Sequence, residues 1–468
     1  MGSGRGLDEL ARELAAGRIS RRAALGRLAG GAAGLAIASI PGAEALGFTG
    51  SKRCPKSRRC DGKCCPNHAH CKHGKCTCDG GYTKCGRKCV DLQASPKNCG
   101  DCGHACVEGE TCEAGECVST ASPMAPSNNL AEAGLTCASS TTTDLAVNQP
   151  ASINTDTDCT AVVPQSGASD LCAVLRRNVS VASGATLTVI GSRPLAILAT
   201  NNITLDGTIG AAAKGATAGP GSAPVTANGA DGSSTARNGG GGGGHGTAGA
   251  AGATTGTPPT GAGGGAAAGS AAVIPLLGGG HGGHNLDSSP NVGGGGGGGV
   301  QLSACHGLSV GSTGHIDVGG GGGQGGQGHP SAAAGGGAGG GAGGSVLLES
   351  PQVTLTAGAV IAANGGGGGG GGDTGASVAG SPGQDGPMSV APAAGGLAAG
   401  GSAGPGGSGG AGASAPNPGS PPSGGTDGGG GGGGAVGRIR INTGDGQAPD
   451  TSGVVISPAP TTGAIATA

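Results

Sequence analysis

Eighteen cysteines are the residues of this 468-residue chain best equipped for chemistry. Fourteen crowd into one stretch: Cys54, Cys60, Cys64, Cys65, Cys71, Cys76, Cys78, Cys85, Cys89, Cys99, Cys102, Cys106, Cys112 and Cys117. Thiols packed this densely serve as disulfides, as metal ligands or in redox exchange. The even count, the adjacent Cys64-Cys65 and the Cys76-x-Cys78 pair favour disulfides. Bridges worth about 2–4 kcal/mol each would supply the constraint that a Gly-, Lys-, Asn- and Pro-filled segment cannot draw from apolar burial. Metal binding is the rival reading. Cys99 and Cys102 have zinc-ligand spacing, and His68, His70, His73 and His104 lie nearby in sequence. A redox C-x-x-C lacks the βαβ setting it needs.

Four further cysteines, Cys137, Cys159, Cys172 and Cys305, allow two more bridges. Cys305 and His306 suggest a nucleophile and base, but neighbours on a strand point to opposite faces. His281-x-x-His284 is a second metal candidate, with only Asp287 close by. Sugar cleavage needs a carboxylate pair, whereas Asp206, Asp287, Asp317, Glu349, Asp373 and Asp385 are scattered. Arg438 and Arg440 share a strand face and read as solvated edge charges rather than an anion site. No glycine run has the phosphate-loop form. These residues predict no catalytic site and no cofactor.

The elements that would position them begin with an address. Leu7, Leu10 and Leu14 share a helical face before Ser20-Arg21-Arg22-Ala23-Ala24-Leu25-Gly26-Arg27. That run resembles the twin-arginine export motif, with Ala24 where the motif usually has Phe. A weakly apolar stretch, Leu28 to Ile40, leads to an A-x-A-like site at Ala43-Glu44-Ala45. It is too short for the roughly 20 apolar residues of a membrane span. The resemblance implies a signal peptide over 1–45, read by export machinery, and no stable membrane span after cleavage. A short spacer, 46–53, follows.

The cysteine-rich module is expected over 54–118. It contains an internal echo, Cys71-Lys-His-Gly-Lys-Cys76 and Cys112-Glu-Ala-Gly-Glu-Cys117, both C-x-x-G-x-C. The run from Cys85 through Cys89, Asn98, Cys99, Cys102 and Cys106 resembles the stigma-specific family of cysteine-rich extracellular repeats, which implies a disulfide scaffold. Residues 119–136, rich in Ser, Ala, Pro and Asn, read as a linker. From 137 to 468 a glycine-rich β-repeat domain is expected. Asn178 to Ile190 alternates apolar and polar residues with the period of a half-buried strand. Related units recur at Pro194–Ile209, Gly299–Val318 and Ser345–Asn364, with a degenerate fourth in Ala435–Asn442 and Gly453–Ile456. Each unit reads as strand, turn, strand and a short third strand, and no unit alone could keep its apolar row dry. The expected fold is mostly β: an irregular right-handed β-helix or β-solenoid. Its glycine-rich insertions are either disordered or extended as polyproline II, packed side by side where only glycine allows close approach. Pro258-Pro259 and the stretch from Pro416 to Pro422 read as loops or disordered segments. The closing Gly433-Gly-Ala-Val-Gly-Arg-Ile-Arg-Ile441 resembles the end of glycine-rich, cysteine-rich exported proteins of soil bacteria.

Composition limits what such a chain can do. There are 115 glycines, one Phe, one Tyr and no Trp, so any core is built from Val, Leu, Ile and Ala. Net charge is −2, with a mildly basic cysteine-rich block and a mildly acidic remainder. Without interleaved aromatics neither block argues for nucleic acid. These features predict an exported, non-enzymatic protein of the cell envelope surface or extracellular space, structural or adhesive, with a cell-wall or extracellular glycan or protein as partner. The alternatives are a glycan- or ice-binding surface, for which regular Thr rows would be the mark, and a β-helix polysaccharide lyase or hydrolase.

Overall fold

The computed structural model describes residues 55–106, 110–119, 124–221, 223–233, 237–254, 261–285, 291–330, 334–375 and 377–467. The export segment with Arg21, Arg22, Ala43 and Ala45, the spacer, Cys54, Pro258-Pro259 and Asp287 lie outside the described residues. The described chain is mostly β, and its helical content is two three-residue turns, Lys56–Arg58 and Val225–Ala227. No described helix is long and apolar enough to cross a membrane. The chain divides into two compact units, Met1–Asp91 and Leu92–Ala468, with the boundary inside the cysteine-rich segment.

The first unit is built of small hairpins. Arg59–Cys60 pairs with Lys63–Cys64, Ala69–Lys72 with Lys75–Cys78, and Thr83–Cys85 with Lys88–Val90. Its cluster of buried side chains is Cys60, Cys65 and Ala69, so cross-links replace a core. Cys60–Cys71, Cys65–Cys76 and Cys78–Cys89 each span 11 residues. The second unit opens in the same style, with Glu110–Glu113 paired to Glu116–Ser119 and bridges Cys99–Cys112 and Cys106–Cys117. The C-x-x-G-x-C echo is one local structure used twice. Cys71 faces Cys76, and Cys112 faces Cys117, across a two-residue turn. Both turn residues have positive φ, His73 and Gly74 at 51° and 74°, Ala114 and Gly115 at 52° and 82°. Two left-handed residues in succession match the twist of a tight hairpin.

The remainder of the second unit is dominated by three sheets. From Leu171 the chain visits them in a fixed order. Leu171–Arg176 lies in a seven-stranded first sheet, Val179–Val181 in a five-stranded second and Thr186–Ile190 in a six-stranded third. The next coils repeat the circuit: Leu195–Ala199, Asn202–Leu205, Thr208–Gly210; then Gly299–Ala304, Gly307–Val310, His315–Asp317; then Ser345–Glu349, Gln352–Leu355, Val360–Ala362. Successive coils pair in parallel and in register. Antiparallel Ala161–Val163 makes the first sheet mixed, and the sheets do not close. The register follows from side-chain alternation, because a one-residue slip would turn every apolar residue outward. Ile197, Leu302, Leu348 and Ile441 stack at one inward position, with Ile203, Leu205, Leu308, Val310, Ile209, Ile316 and Ile361 completing one core. The recurring units of the sequence are these coils.

The first sheet is buried on its outer face as well. The segment expected as a linker is packed there from Met124 onward: Met124, Leu130 and Leu135 close over Leu171, Leu198 and Leu347, and Met124–Ala125 pairs with Ala466–Thr467. Its apolar residues, sparse as they are, meet an apolar sheet face. Cys137–Cys305 fastens this cover across 168 residues, a closure worth about 5 kcal/mol on chain entropy. Cys159–Cys172 pins the opening strand.

The long glycine-rich insertions all leave from the third sheet and return to the first, over 211–298, 319–344 and 363–437. Their described residues are ordered against one another by backbone hydrogen bonds that repeat every three residues. Within 365–372, the amides of Gly365, Gly368 and Gly371 donate to the carbonyls of Gly410, Gly407 and Gly404. Gly366, Gly369 and Gly372 donate to Gly341, Ala338 and Gly335, while Gly367 and Gly370 donate to Gln384 and Ser381. Carbonyls along the same run accept from 428–434, from 323–326 and from 396–399. One extended run therefore has six neighbours. A Cβ on Gly369 would overlap the Gln324 carbonyl, and one on Gly431 the Ala338 carbonyl. The stretch from Pro416, expected as a loop or disordered segment, joins this array: Asn417 and Ser420, three apart, accept from Gly433 and Gly430.

Candidate functional site

The most regular exposed surface is the outer face of the second sheet. Alternation sends Ile203, Leu205, Leu308 and Val310 into the core and leaves the intervening residues outside. In-register pairing then lines them up. Ser180, Thr204, Ser309 and Thr354 form one row and Asn202, Gly307 and Gln352 another. Parallel pairing sets the steps within a row at about 4.8 Å, and two residues along a strand set the rows about 6.6 Å apart. Thr204, Gln352 and Thr354 are exposed. Ser309 Oγ donates to the Ile203 carbonyl at 3.4 Å, and the Asn178 side chain accepts from the Asn202 amide at 3.4 Å. The Asp144 carboxylate anchors the near end, accepting from Arg177 at 2.7 and 3.0 Å and from Asn178 at 3.1 Å. The Arg177 contact holds Asp144 well below its ordinary range, at about 2.

A buried acidic centre lies on the covered face of the first sheet. Glu349 is 1% exposed. Its carboxylate accepts from Ser127 Oγ at 2.6 Å, the Ser127 amide at 3.1 Å, and Gln301 Nε2, Ser303 Oγ and Asn442 Nδ2, each at 3.0 Å. Asn128 Nδ2 donates to Gln301 Oε1 at 2.9 Å. Every contact comes from the sheet or its cover, so the network joins the two.

Two positively charged or basic sites also stand out. His245, fully buried, lies with Nε2 2.8 Å from Ser345 Oγ. Burial and then the nearby Arg438 push its pKa down to about 3, so the imidazole is neutral at pH 7. Arg438 is half-buried, and its Nε donates to the Ala268 carbonyl at 3.0 Å. It borders a cavity of about 360 Å³.

The expected metal candidates fare differently. Cys99 is bonded to Cys112, and Cys102, Cys64 and Cys85 are also disulfide-bonded. None of the four therefore offers a thiolate, which corrects the zinc reading of Cys99 and Cys102. The sulfurs of Cys60, Cys65 and Cys76 lie within 4.8 Å of one another, but as parts of two bridges. Three of the four neighbouring histidines are engaged elsewhere: His68 stacks on Tyr82 at 4.1 Å, His70 Nδ1 meets Asp79 at 2.8 Å, and His104 Nδ1 donates to the Cys99 carbonyl at 2.7 Å. His281 and His284 do share the wall of one groove, because a three-residue repeat brings i and i+3 to the same side. Burial and His284 lower the His281 pKa. His284 Nδ1 accepts from the Gly293 amide at 3.3 Å, and no third ligand joins the pair among the described residues. Cys305 is taken by Cys137, so it is not a nucleophile for His306.

No family model matches the chain, and neither a curated protein nor a solved structure does.

Proposed function

We propose that this is an exported structural or adhesive protein of the cell envelope surface or extracellular space, of the glycine-rich, cysteine-rich kind its motifs resemble. Its three-sheet region is a β-solenoid and its glycine insertions a polyproline-II-like bundle. The observation that carries the reading is the pairing of a rigid, in-register coil stack with an exposed polar face whose rows repeat at a fixed step. Support for export comes from the disulfides, since such bridges persist in oxidising compartments, and from the twin-arginine-type run. The partner is a glycan of the cell wall or matrix. Each hydroxyl or amide contributes about 0.5–1.5 kcal/mol net, and a repeating ligand engages many at once.

Two measurements test this. The intact mass of protein recovered from its host, alkylated without reduction, should give a start near Leu46 and no free thiols. Retention of the purified chain on insoluble cell-wall polysaccharide should fall several-fold when Thr204 and Thr354 are both changed to Val, which keeps shape and removes the hydroxyls. Unchanged retention would remove this face from the function.

A second reading, ice recognition by the same rows, is favoured by the hydroxyl row Ser180, Thr204, Ser309 and Thr354. It predicts thermal hysteresis that the double Val variant alters, and no retention on polysaccharide.

A further inference from the structure

A second site stands apart from the polar rows, at the start of strand Arg438–Thr443. Inward Ile439 and Ile441 belong to the core, so Arg438 and Arg440 both leave the outer face of the first sheet. They are not equivalent. Arg440 Nε donates to Asn442 Oδ1 at 2.8 Å, within the polar network around Glu349. Arg438 Nε bonds the Ala268 carbonyl, and among the described residues its terminal nitrogens meet neither an acceptor nor a carboxylate. Burial lowers its pKa. Arg438 is the one ionisable residue among those that line the cavity, and the coupled His245 is neutral, so the guanidinium is the charge at the site.

A half-buried cation that has lost hydration without gaining a counter-ion is costly unless a partner arrives. The cavity beside it has room for one. Its volume of about 360 Å³ suits a ligand the size of a single sugar ring or short organic acid. Val436, Pro458, Ala413 and Ala459 supply apolar walls, and Thr247 and Ser414 supply hydroxyls. Planar, bidentate recognition by a guanidinium suits a carboxylate or a phosphate, and one cation among mostly apolar lining residues matches the single charge of a carboxylate.

We propose that Arg438 and this cavity form a binding site for a small organic carboxylate, of which a hexuronate is the best fit in size and hydroxyl content. The carboxylate pairs with the free edge of the guanidinium, and the ring packs on the Val436 and Pro458 wall.

Calorimetric titration of the full chain with D-glucuronate, D-glucose, acetate and a short oligouronide tests it. Glucuronate should bind and glucose should not. Arg438→Gln should weaken glucuronate at least tenfold and Arg438→Lys less, because the ammonium keeps charge without the fork. Ala413→Phe, at the exposed rim, should block glucuronate while leaving Arg438 in place, which covers the case in which Arg438→Gln does not fold. Tighter binding of the oligouronide than of glucuronate identifies a polysaccharide source, and equal or weaker binding a free acid. Glucose binding as well as glucuronate, no glucuronate binding at millimolar concentration, or binding unchanged in Ala413→Phe would overturn the proposal.

Discussion

The three-sheet region and the glycine array satisfy the same requirement, that buried backbone groups be paired, by opposite means. The sheets use side chains to choose their partners. Alternation fixes the face, the apolar stack Ile197, Leu302, Leu348 and Ile441 fixes the register, and backbone bonding follows. The array has almost no side chains, and its neighbours are chosen by how closely backbones approach. Each run in it bonds several others at three-residue intervals, so the information that a core carries in its side-chain shapes is carried there by the lack of them. The first design tolerates a change of one apolar residue with local loss. The second tolerates alanine where the geometry leaves room, as at Ala338 and Ala342, and nothing larger than hydrogen where a carbonyl stands in the way.

The sharpest break in that comparison is a pair of substitutions. Gly369→Val places a side chain on the Gln324 carbonyl. Relief requires moving a run bonded to Ala338 and Gly431, and the expected cost exceeds about 3 kcal/mol. Leu302→Ala in the sheet core removes packing and leaves a cavity, at about 3 kcal/mol. Gly263→Ala, where a Cβ meets nothing within 4 Å, should be neutral or slightly stabilising. Denaturant unfolding of the three variants checks the order. If Gly369→Val were as mild as Gly263→Ala, the array would not be a packed structure in solution.

Much of the sheet region is visible in the sequence because alternation is local. Asn178 to Ile190 and the later Val-, Leu- and Ile-rich units each announce a coil on their own. The hydroxyl row is not visible. Thr204 and Ser309 are adjacent on the sheet yet 105 residues apart in the chain, because an insertion separates the coils. A search for regular Thr spacing along the sequence therefore finds no row. The Glu349 network escapes for a similar reason: its donors Gln301 and Ser303, Asn442, and Ser127 come from two other coils and the cover. Residues 124–136 looked like a linker because Met124, Leu130 and Leu135 are few, and only the waiting apolar face of the sheet gives them a place. Arg438 and Arg440 are indistinguishable in sequence. What separates them is a carbonyl from Ala268 and a cavity that only the fold creates.

The cover over the first sheet offers a second, smaller test, now of polar burial within the side-chain-built region. Glu349→Ala leaves the donors of Ser127, Gln301, Ser303 and Asn442 facing an apolar void, and should cost about 3 kcal/mol. Glu349→Gln keeps the volume but replaces one acceptor with a donor facing donors, and should cost about 2 kcal/mol. Both should expose Met124 and the Cys137 end of the cover before the coils themselves open. Hydrogen exchange along 124–139 separates this from global unfolding. Equal protection loss in the coils would show that the cover and the sheets unfold as one.

A pH-dependent effect lies on the seam where the two designs meet. His245 belongs to a glycine run, and its Nε2 contacts Ser345 on the first sheet. Its pKa is depressed, by burial first and by Arg438 second, to about 3 from an ordinary 6.5. The folded state therefore resists protonation that the unfolded state accepts. Stability from this residue is complete above the unfolded value and is lost as pH falls from about 6 toward 3, at about 1 kcal/mol per pH unit. Asp144 adds acid sensitivity only lower, between its ordinary range and about 2, and solvent screening at its exposed site keeps that contribution small. A His245→Gln variant should start less stable at pH 7, because the Ser345 contact is altered, yet lose less on acidification to pH 4. Its unfolding midpoint would then approach that of the parent as pH falls. Parallel pH profiles for the two proteins would mean that His245 is not held neutral, and that the seam is open to water where the sheets and the glycine array touch.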